Sequence, residues 1–152
     1  MANSDLQFLK ASLSDLDLLL DWVRRYYAFD HIPFDALKVE SALKQLFQNP
    51  DYGHAYFVQL NQKTVGYFLV GYNFDIEYGG RHAAITDLFF SEEVRRGGIG
   101  TRTLQFIEKL CREEGLSNLF LQVEIDNVEA QAFYQKMGFE LHTRYSMNKS
   151  LS

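Results

Sequence analysis

Between Asp87 and Thr101 an apolar run, Leu88-Phe89-Phe90, passes through the acidic turn Ser91-Glu92-Glu93 into Arg95-Arg96-Gly97-Gly98-Ile99-Gly100-Thr101. A buried strand must therefore hand the chain directly to a helix whose first turn carries almost no side chains. Glycines at 97, 98 and 100 leave backbone N–H groups uncovered where a helix presents its unpaired donors and the positive end of its dipole. Arg95 and Arg96 add full charges beside them. Such a junction suits a pyrophosphate, and the ligand expected here is an anion with a long tail.

Two other phosphate motifs are excluded by residue. A dinucleotide fingerprint needs G-x-G-x-x-G, and Gly98-Ile99-Gly100-Thr101-Arg102-Thr103 lacks the last glycine. A P-loop needs a lysine after its final glycine, and Gly100 is followed by Thr101. What remains is [Q/R]-x-x-G-x-[G/A], filled by Arg95, Gly98 and Gly100. Downstream, the strand-like run Leu119 to Ile125 is followed by Asn127, a short helical stretch carrying Tyr134, and Gly138-Phe139. The two motifs, in this order and spacing, resemble the signature of the GNAT acetyltransferase superfamily. The resemblance covers roughly residues 82 to 149, somewhat under half the chain; the first half agrees only in its pattern of elements.

At 152 residues, 47% hydrophobic and without repeats or low-complexity tracts, the chain is read as one globular domain, 1–152, able to bury a core without staples. The N-terminus shows no signal-peptide pattern and no apolar run reaches membrane-spanning length, so a cytoplasmic protein with no membrane partner is expected. The single cysteine, Cys111, follows Leu104, Ile107 and Leu110 on a helical stripe and reads as a core thiol in a reducing compartment. With 15 basic and 20 acidic residues and no basic run beyond Arg95-Arg96, nucleic acid is not an expected partner. The four histidines are scattered without metal-ligand spacing, so no metal site is proposed.

The element order reads βααβββαβαβ. A strand at Leu6–Lys10 leads to a helix from about Asp15 to Ala28, with Ser12 or Ser14 as cap and Leu16, Leu19, Leu20, Val23 and Tyr27 on one face; Trp22 reads as core. Asp35 caps a second helix to about Phe47. Strands at 54–60 and 64–74 form a hairpin, and the strand ending at Phe90 follows. The helix from about Gly98 to Glu114, a strand at 118–125, a helix from about Glu129 to Met137 and a last strand, Phe139 to about Asn148, complete the chain. The fold class is α+β, a mixed and mostly antiparallel sheet covered by helices. This is the acyl-CoA N-acyltransferase arrangement that the resemblance implies.

The resemblance also implies a chemistry, transfer of an acetyl group from acetyl-CoA directly to a primary amine. The pantetheine arm would lie along the backbone of Leu88, Phe89 and Phe90, and the pyrophosphate on Arg95, Arg96, Gly97, Gly98, Ile99, Gly100 and Thr101. Asn127 would bond the pantetheine or hold the strand end, and otherwise it is a plain helix cap. Tyr134 would stand near the thioester sulfur and stabilise the departing thiolate, and otherwise it packs beside Phe133. A backbone N–H at a strand bulge around Leu88 and Phe89 would hold the oxyanion. An amine of pKa near 10 must lose a proton before it attacks. Asp87 is the first candidate base and Glu124 the second. Many relatives have an acid where Thr86 stands, and Thr86 cannot serve; Arg96 stands where the commoner loop has glycine.

Acceptor choice in the family is set by the link between the first helices, the segment near the third and fourth strands, and the chain's end. Here these segments include Tyr26, Tyr27, His31, Phe34, Asp75, Glu77 and Tyr78. Aromatic and acidic groups suit a cationic amine: a polyamine, an amino acid, an aminoglycoside or a protein amine. A different class stays open, a fold that binds acyl-CoA without turnover as a sensor or interaction module. Many members also pair as homodimers through their last strands, although no association surface is legible in this sequence.

Overall fold

The computed structural model describes residues 5–152. Two compact units divide the chain, one ending at Gln122 and the other running Val123–Ser152. The first contains a five-stranded sheet in the order β1-β2-β3-β4-β5. Its strands are β1 (Leu6–Lys10), β2 (Gly53–Leu60), β3 (Lys63–Asp75), β4 (Gly80–Phe90) and β5 (Leu119–Leu121). Neighbouring pairs from β1 to β4 are antiparallel, and β4 pairs β5 in parallel. The helices of this unit are α1 (Leu16–Phe29), α2 (Ala36–Gln48) and α3 (Ile99–Glu113).

Local chemistry starts these helices where the sequence indicates. The Ser12 backbone N–H donates to the Asp15 carboxylate at 2.9 Å, which closes the turn before α1. Asp35 accepts the Lys38 N–H at 3.2 Å and caps α2. At the end of α3, Gly115 adopts φ 74°, and Leu116 N–H donates back to Cys111 O at 2.9 Å while Gly115 N–H donates to Arg112 O at 3.0 Å. This left-handed stop satisfies carbonyls that the helix would otherwise leave open.

The sheet carries a different core on each face. Leu16, Leu19, Trp22 and Val23 of α1 and Leu43 of α2 are buried together with Ala55, Phe57, Tyr67 and Phe89 of the strands. On the other face Phe106 of α3 stacks on Phe8 of β1, with centroids 4.3 Å apart and planes 17° apart. Tyr56 stacks on Phe68 at 5.1 Å, and Phe106 meets the Phe68 ring at 6.2 Å. Leu104 and Ile107 of α3 are fully buried, and Cys111 on the same stripe is buried as well.

In the second unit, α4 (Val128–Lys136) is opened by Asn127 and closed at Gly138, whose φ is 99°. The expected strand from Phe139 to Asn148 is corrected here: among the described residues no strand follows β5. Phe139, Leu141, Tyr145 and Met147 keep the period-two pattern, but Leu141, Tyr145 and Met147 are exposed and no ladder pairs them. Alternation specifies the two faces of a strand and says nothing of a hydrogen-bonding neighbour. The strand expected at 118–125 likewise shortens to Leu119–Leu121.

Candidate active site

One irregularity in the sheet decides which way Asp87 faces. Leu69 of β3 pairs with Asp87 of β4, but the next pair is Val70 with Ile85, so Thr86 is an extra residue. This bulge changes the alternation of β4. Ile85 lies opposite Val70, on the face of Phe68, whereas Asp87 lies opposite Leu69 on the face of Tyr67. Thr86 donates its hydroxyl to Leu69 O at 3.3 Å, which ties the extra residue to β3. The bulge expected around Leu88 and Phe89 thus lies at Thr86, while Leu88 and Phe89 pair regularly with Phe68 and Tyr67.

Asp87 consequently points toward α1. The Tyr67 hydroxyl donates to Asp87 Oδ2 at 2.7 Å, and Tyr67 itself is fully buried. Burial pushes the Asp87 carboxyl above the usual range, and the hydrogen bond from Tyr67 pulls the other way. The Tyr67 phenol is driven far above its ordinary value by burial and by the Asp87 charge, so it keeps its proton and donates a hydrogen bond. Tyr26 lies 6.4 Å from the Tyr67 ring and 5.6 Å from Phe89, and Tyr27 packs edge-on to Phe34 at 5.8 Å. The Tyr27 phenol is also raised, first by burial and then by the Asp87 charge. A carboxylate thus sits among aromatic rings, two of them on one turn of α1.

Beyond Asp87 the sheet opens. The parallel ladder of β4 with β5 ends at Ile85 and Leu121, while β4 stays paired with β3 to Phe90. Among the described residues, no strand pairs the other edge of β4 from Asp87 to Phe90. This edge is where an extended amide chain could add main-chain hydrogen bonds.

The strand then turns into α3. Arg95 does not reach outward from the turn: its Nε and Nη2 both donate to Phe90 O, at 3.1 and 2.9 Å. Its guanidinium lies over Phe29 at 4.3 Å and Phe89 at 5.4 Å. Arg95 therefore fastens the end of β4 to α1. Arg96 is exposed with φ 70°. Gly98 starts α3 with φ 82° and no side-chain cap, and a Cβ built there would meet nothing within 4 Å. The first turn, Ile99-Gly100-Thr101, fits a diphosphate, because no side chain caps its N–H donors and Gly98 before it carries none to cover them. A cleft of about 600 Å³ lined by Trp22, Arg25, Lys63, Thr64, Ser91, Glu92 and Glu93 lies beside the turn after β4, and Asp87 does not line it.

In the second unit Asn127 acts as a helix cap, its Oδ1 accepting from Ala130 N–H at 3.1 Å. Tyr134 packs against Phe133 at 5.4 Å and Phe139 at 5.6 Å, and burial raises its phenol. Glu124 is exposed and lies beyond the end of β5; its carbonyl accepts from the Gln131 amide at 2.8 Å.

The candidate acceptor residues divide into two groups. Tyr26, Tyr27 and Phe34 gather on the Asp87 side of the sheet. His31, exposed with φ 56°, belongs to the link between α1 and α2. Glu77 and Tyr78 lie in a short 3₁₀ turn before β4, where Tyr78 packs on His82 at 4.9 Å. Five residue steps along the strand, about 16 Å, separate His82 from Asp87. Tyr67 was not singled out in the sequence. Alternation along β3 puts it on one face with Leu69, but its meeting with Asp87 depends on the bulge, which the sequence does not show.

Residues 16–139 match the family described as Acetyltransferase (GNAT) family, and the chain belongs to it. The zebrafish (Danio rerio) N-alpha-acetyltransferase 50 is 46% identical over 48 residues, a stretch covering 31% of this chain and 29% of that one. The chain thus matches under a third of the length of that curated relative. An integron cassette protein from the mobile metagenome of Cole Harbour Salt Marsh has the same fold, with a TM-score of 0.84, 24% identity and coverage of 96% of this chain and 91% of that one. An aminoglycoside N-acetyltransferase in complex with CoA has a TM-score of 0.82 at 12% identity, covering 99% of this chain and 97% of that one. The mixed sheet with its covering helices is the GNAT acyl-CoA N-acyltransferase fold. No helix among the described residues is long and apolar enough to cross a membrane.

Proposed function

We propose that this chain works as one domain, an N-acetyltransferase that moves an acetyl group from acetyl-CoA to a primary amine within a ternary complex. The observation that carries this reading is the run from the unpaired edge of β4, Asp87 to Phe90, into the uncapped first turn of α3 in a chain of the GNAT family. The pantetheine amides add to that edge, and the pyrophosphate rests on the N–H groups from Gly98 to Thr101.

Asp87 takes the proton from the incoming amine, because a carboxylate at the bulge, sheltered by Tyr26 and Tyr27, has its basicity raised by burial. The C–N bond forms as the C–S bond breaks, and CoA leaves as a thiolate that Tyr134 meets with its hydroxyl. Burial keeps that phenol neutral, so it stabilises the sulfur by hydrogen bonding more than by giving up its proton. Tyr26, Tyr27 and Phe34 form the apolar wall of the acceptor site. A protein N-terminus and an aminoglycoside are both acceptor classes suggested by relatives.

The test is thiol release from acetyl-CoA with a panel of amines: polyamines, aminoglycosides, free amino acids and peptides with free N-termini. Turnover on one class and mass identification of the acetylated amine support the reading. Tight acetyl-CoA binding with no turnover on any of them would replace it with an acyl-CoA-binding sensor or interaction module.

A further inference from the structure

Tyr67 is a fully buried phenol in the middle of the sheet, and its hydroxyl makes one hydrogen bond of 2.7 Å, to Asp87 Oδ2. A core tyrosine needs a partner for its hydroxyl, and a backbone carbonyl would serve. Here the partner is a carboxylate that is itself mostly withdrawn from water. We propose that Tyr67 is a positioning residue for the acetyl transfer, fixing one oxygen of Asp87 from beneath and leaving the other to take the amine proton.

The inference rests on Asp87 being the base. It follows from geometry that the sheet makes rigid. Tyr67 pairs with Phe89 across β3 and β4, and the bulge at Thr86 brings Asp87 onto the same face, within reach of the phenol. The groups facing Asp87 are Tyr26 and Tyr27 from α1, Tyr67 from β3 and Thr86 on its own strand, with Asp30 behind Tyr26 at 3.5 Å from its hydroxyl. Tyr67 is thus the donor from the sheet that holds the ionised form of Asp87 against burial.

The sign follows from this opposition. Burial raises the Asp87 carboxyl, and the Tyr67 bond lowers it. Tyr67→Phe removes the bond and keeps the ring, so the carboxyl rises further and the acid limb of kcat/KM moves to higher pH. Near neutral pH the expected loss is about tenfold, equal to roughly 1.4 kcal/mol of one hydrogen bond to a charged group. Activity recovers toward wild type at alkaline pH, and KM for acetyl-CoA is unchanged. A merely structural role would lower the amount of active enzyme and leave the limb where it was.

Two measurements keep the test decisive. Titration of the Asp87 side-chain carbon by NMR in the resting protein, assigned from its absence in Asp87→Asn, reports the carboxyl without any turnover and should move upward in Tyr67→Phe. If Tyr67→Phe fails to fold, 3,5-difluorotyrosine at position 67, a stronger donor of nearly the same shape, should move limb and titration to lower pH. Loss of the acid limb in Asp87→Asn, together with unmoved limb and titration in the position-67 variants, overturns the inference and leaves the base reading standing. Wild-type turnover and profile in Asp87→Asn removes both.

Discussion

The two faces of the sheet are packed from similar side chains and are put to different uses. Against α3, Phe8, Tyr56, Phe68 and Phe106 stack on one another, and Leu104 and Ile107 fill the space behind them. Against α1, the rings of Trp22, Tyr26, Tyr67 and Phe89 also meet, but one of them, Tyr67, holds the carboxylate of Asp87. A single extra residue at Thr86 separates the two arrangements along β4. Without it the regular alternation would turn Asp87 toward the α3 face, into a core of rings. The bulge allows one strand to turn Ile85 into one core and to hold the carboxylate of Asp87 against the other face two residues later.

The largest effects expected fall on the chemical groups. Asp87→Asn should cut turnover by roughly 10²-fold to 10⁴-fold at pH values where the wild-type carboxylate is ionised, the gap closing as wild type descends its acid limb, with the mutant still folded. Tyr134→Phe should cost a similar factor while acetyl-CoA affinity, measured by calorimetry, holds. Wild-type turnover in Tyr134→Phe would leave that side chain as packing for Phe133 and Phe139 alone.

The α3 face should respond in the other observable. Phe68→Ala removes a fully buried ring that meets Phe8, Tyr56 and Phe106, and should cost about 3–5 kcal/mol of unfolding free energy by denaturant titration. Activity per folded molecule should change little. A loss of turnover without a loss of stability would break the division between the faces.

Gly98 stands where β4 hands over to α3, so a change there should touch neither core. Gly98→Asp is chosen because aspartate tolerates a left-handed backbone better than most side chains, and the site has room for it. The new negative charge at the helix start should weaken acetyl-CoA binding about tenfold, on the order of 1 kcal/mol of lost dipole attraction plus direct repulsion. Unchanged affinity in the folded variant would remove the pyrophosphate from this turn.

What the sequence disclosed was local. The cap at Asp35, the stop at Gly115, the stripe on α1 and the glycine-rich start of α3 are each written in a few neighbouring residues and found where expected, whereas Ser12, one of two serines expected to cap α1, opens the short turn before it and Asp15 stands at the cap. Asp87 and the tyrosines of α1 entered as candidates through the family resemblance. Features set by pairing were not legible. The bulge at Thr86 exists because of register against β3, and Tyr67 becomes relevant only through it. Arg95 was expected beside the anion by its charge, yet its guanidinium closes on Phe90 O, which is visible only once Phe29 and Phe89 flank it. The tail after Gly138 alternates like a strand, but alternation alone does not supply a ladder.

The smallest effect expected separates a residue kept for chemistry from one kept for stability. Asp87 has its folded-state carboxyl raised by burial, so the folded protein favours the protonated form. Any stability this residue adds is present below the unfolded carboxyl value of about 4 and is lost as pH rises through the raised folded value. Asparagine has no charge to desolvate and can still accept the Tyr67 hydroxyl through its side-chain oxygen. Asp87→Asn should therefore melt at or slightly above the wild-type temperature at neutral pH, and the difference should shrink as pH falls below the folded carboxyl value. Thermal melts at several pH values measure this directly. A wild type that melts higher than Asp87→Asn across neutral pH would mean that the carboxylate stabilises the fold, and the α1 face would then differ from the α3 face in composition but not in purpose.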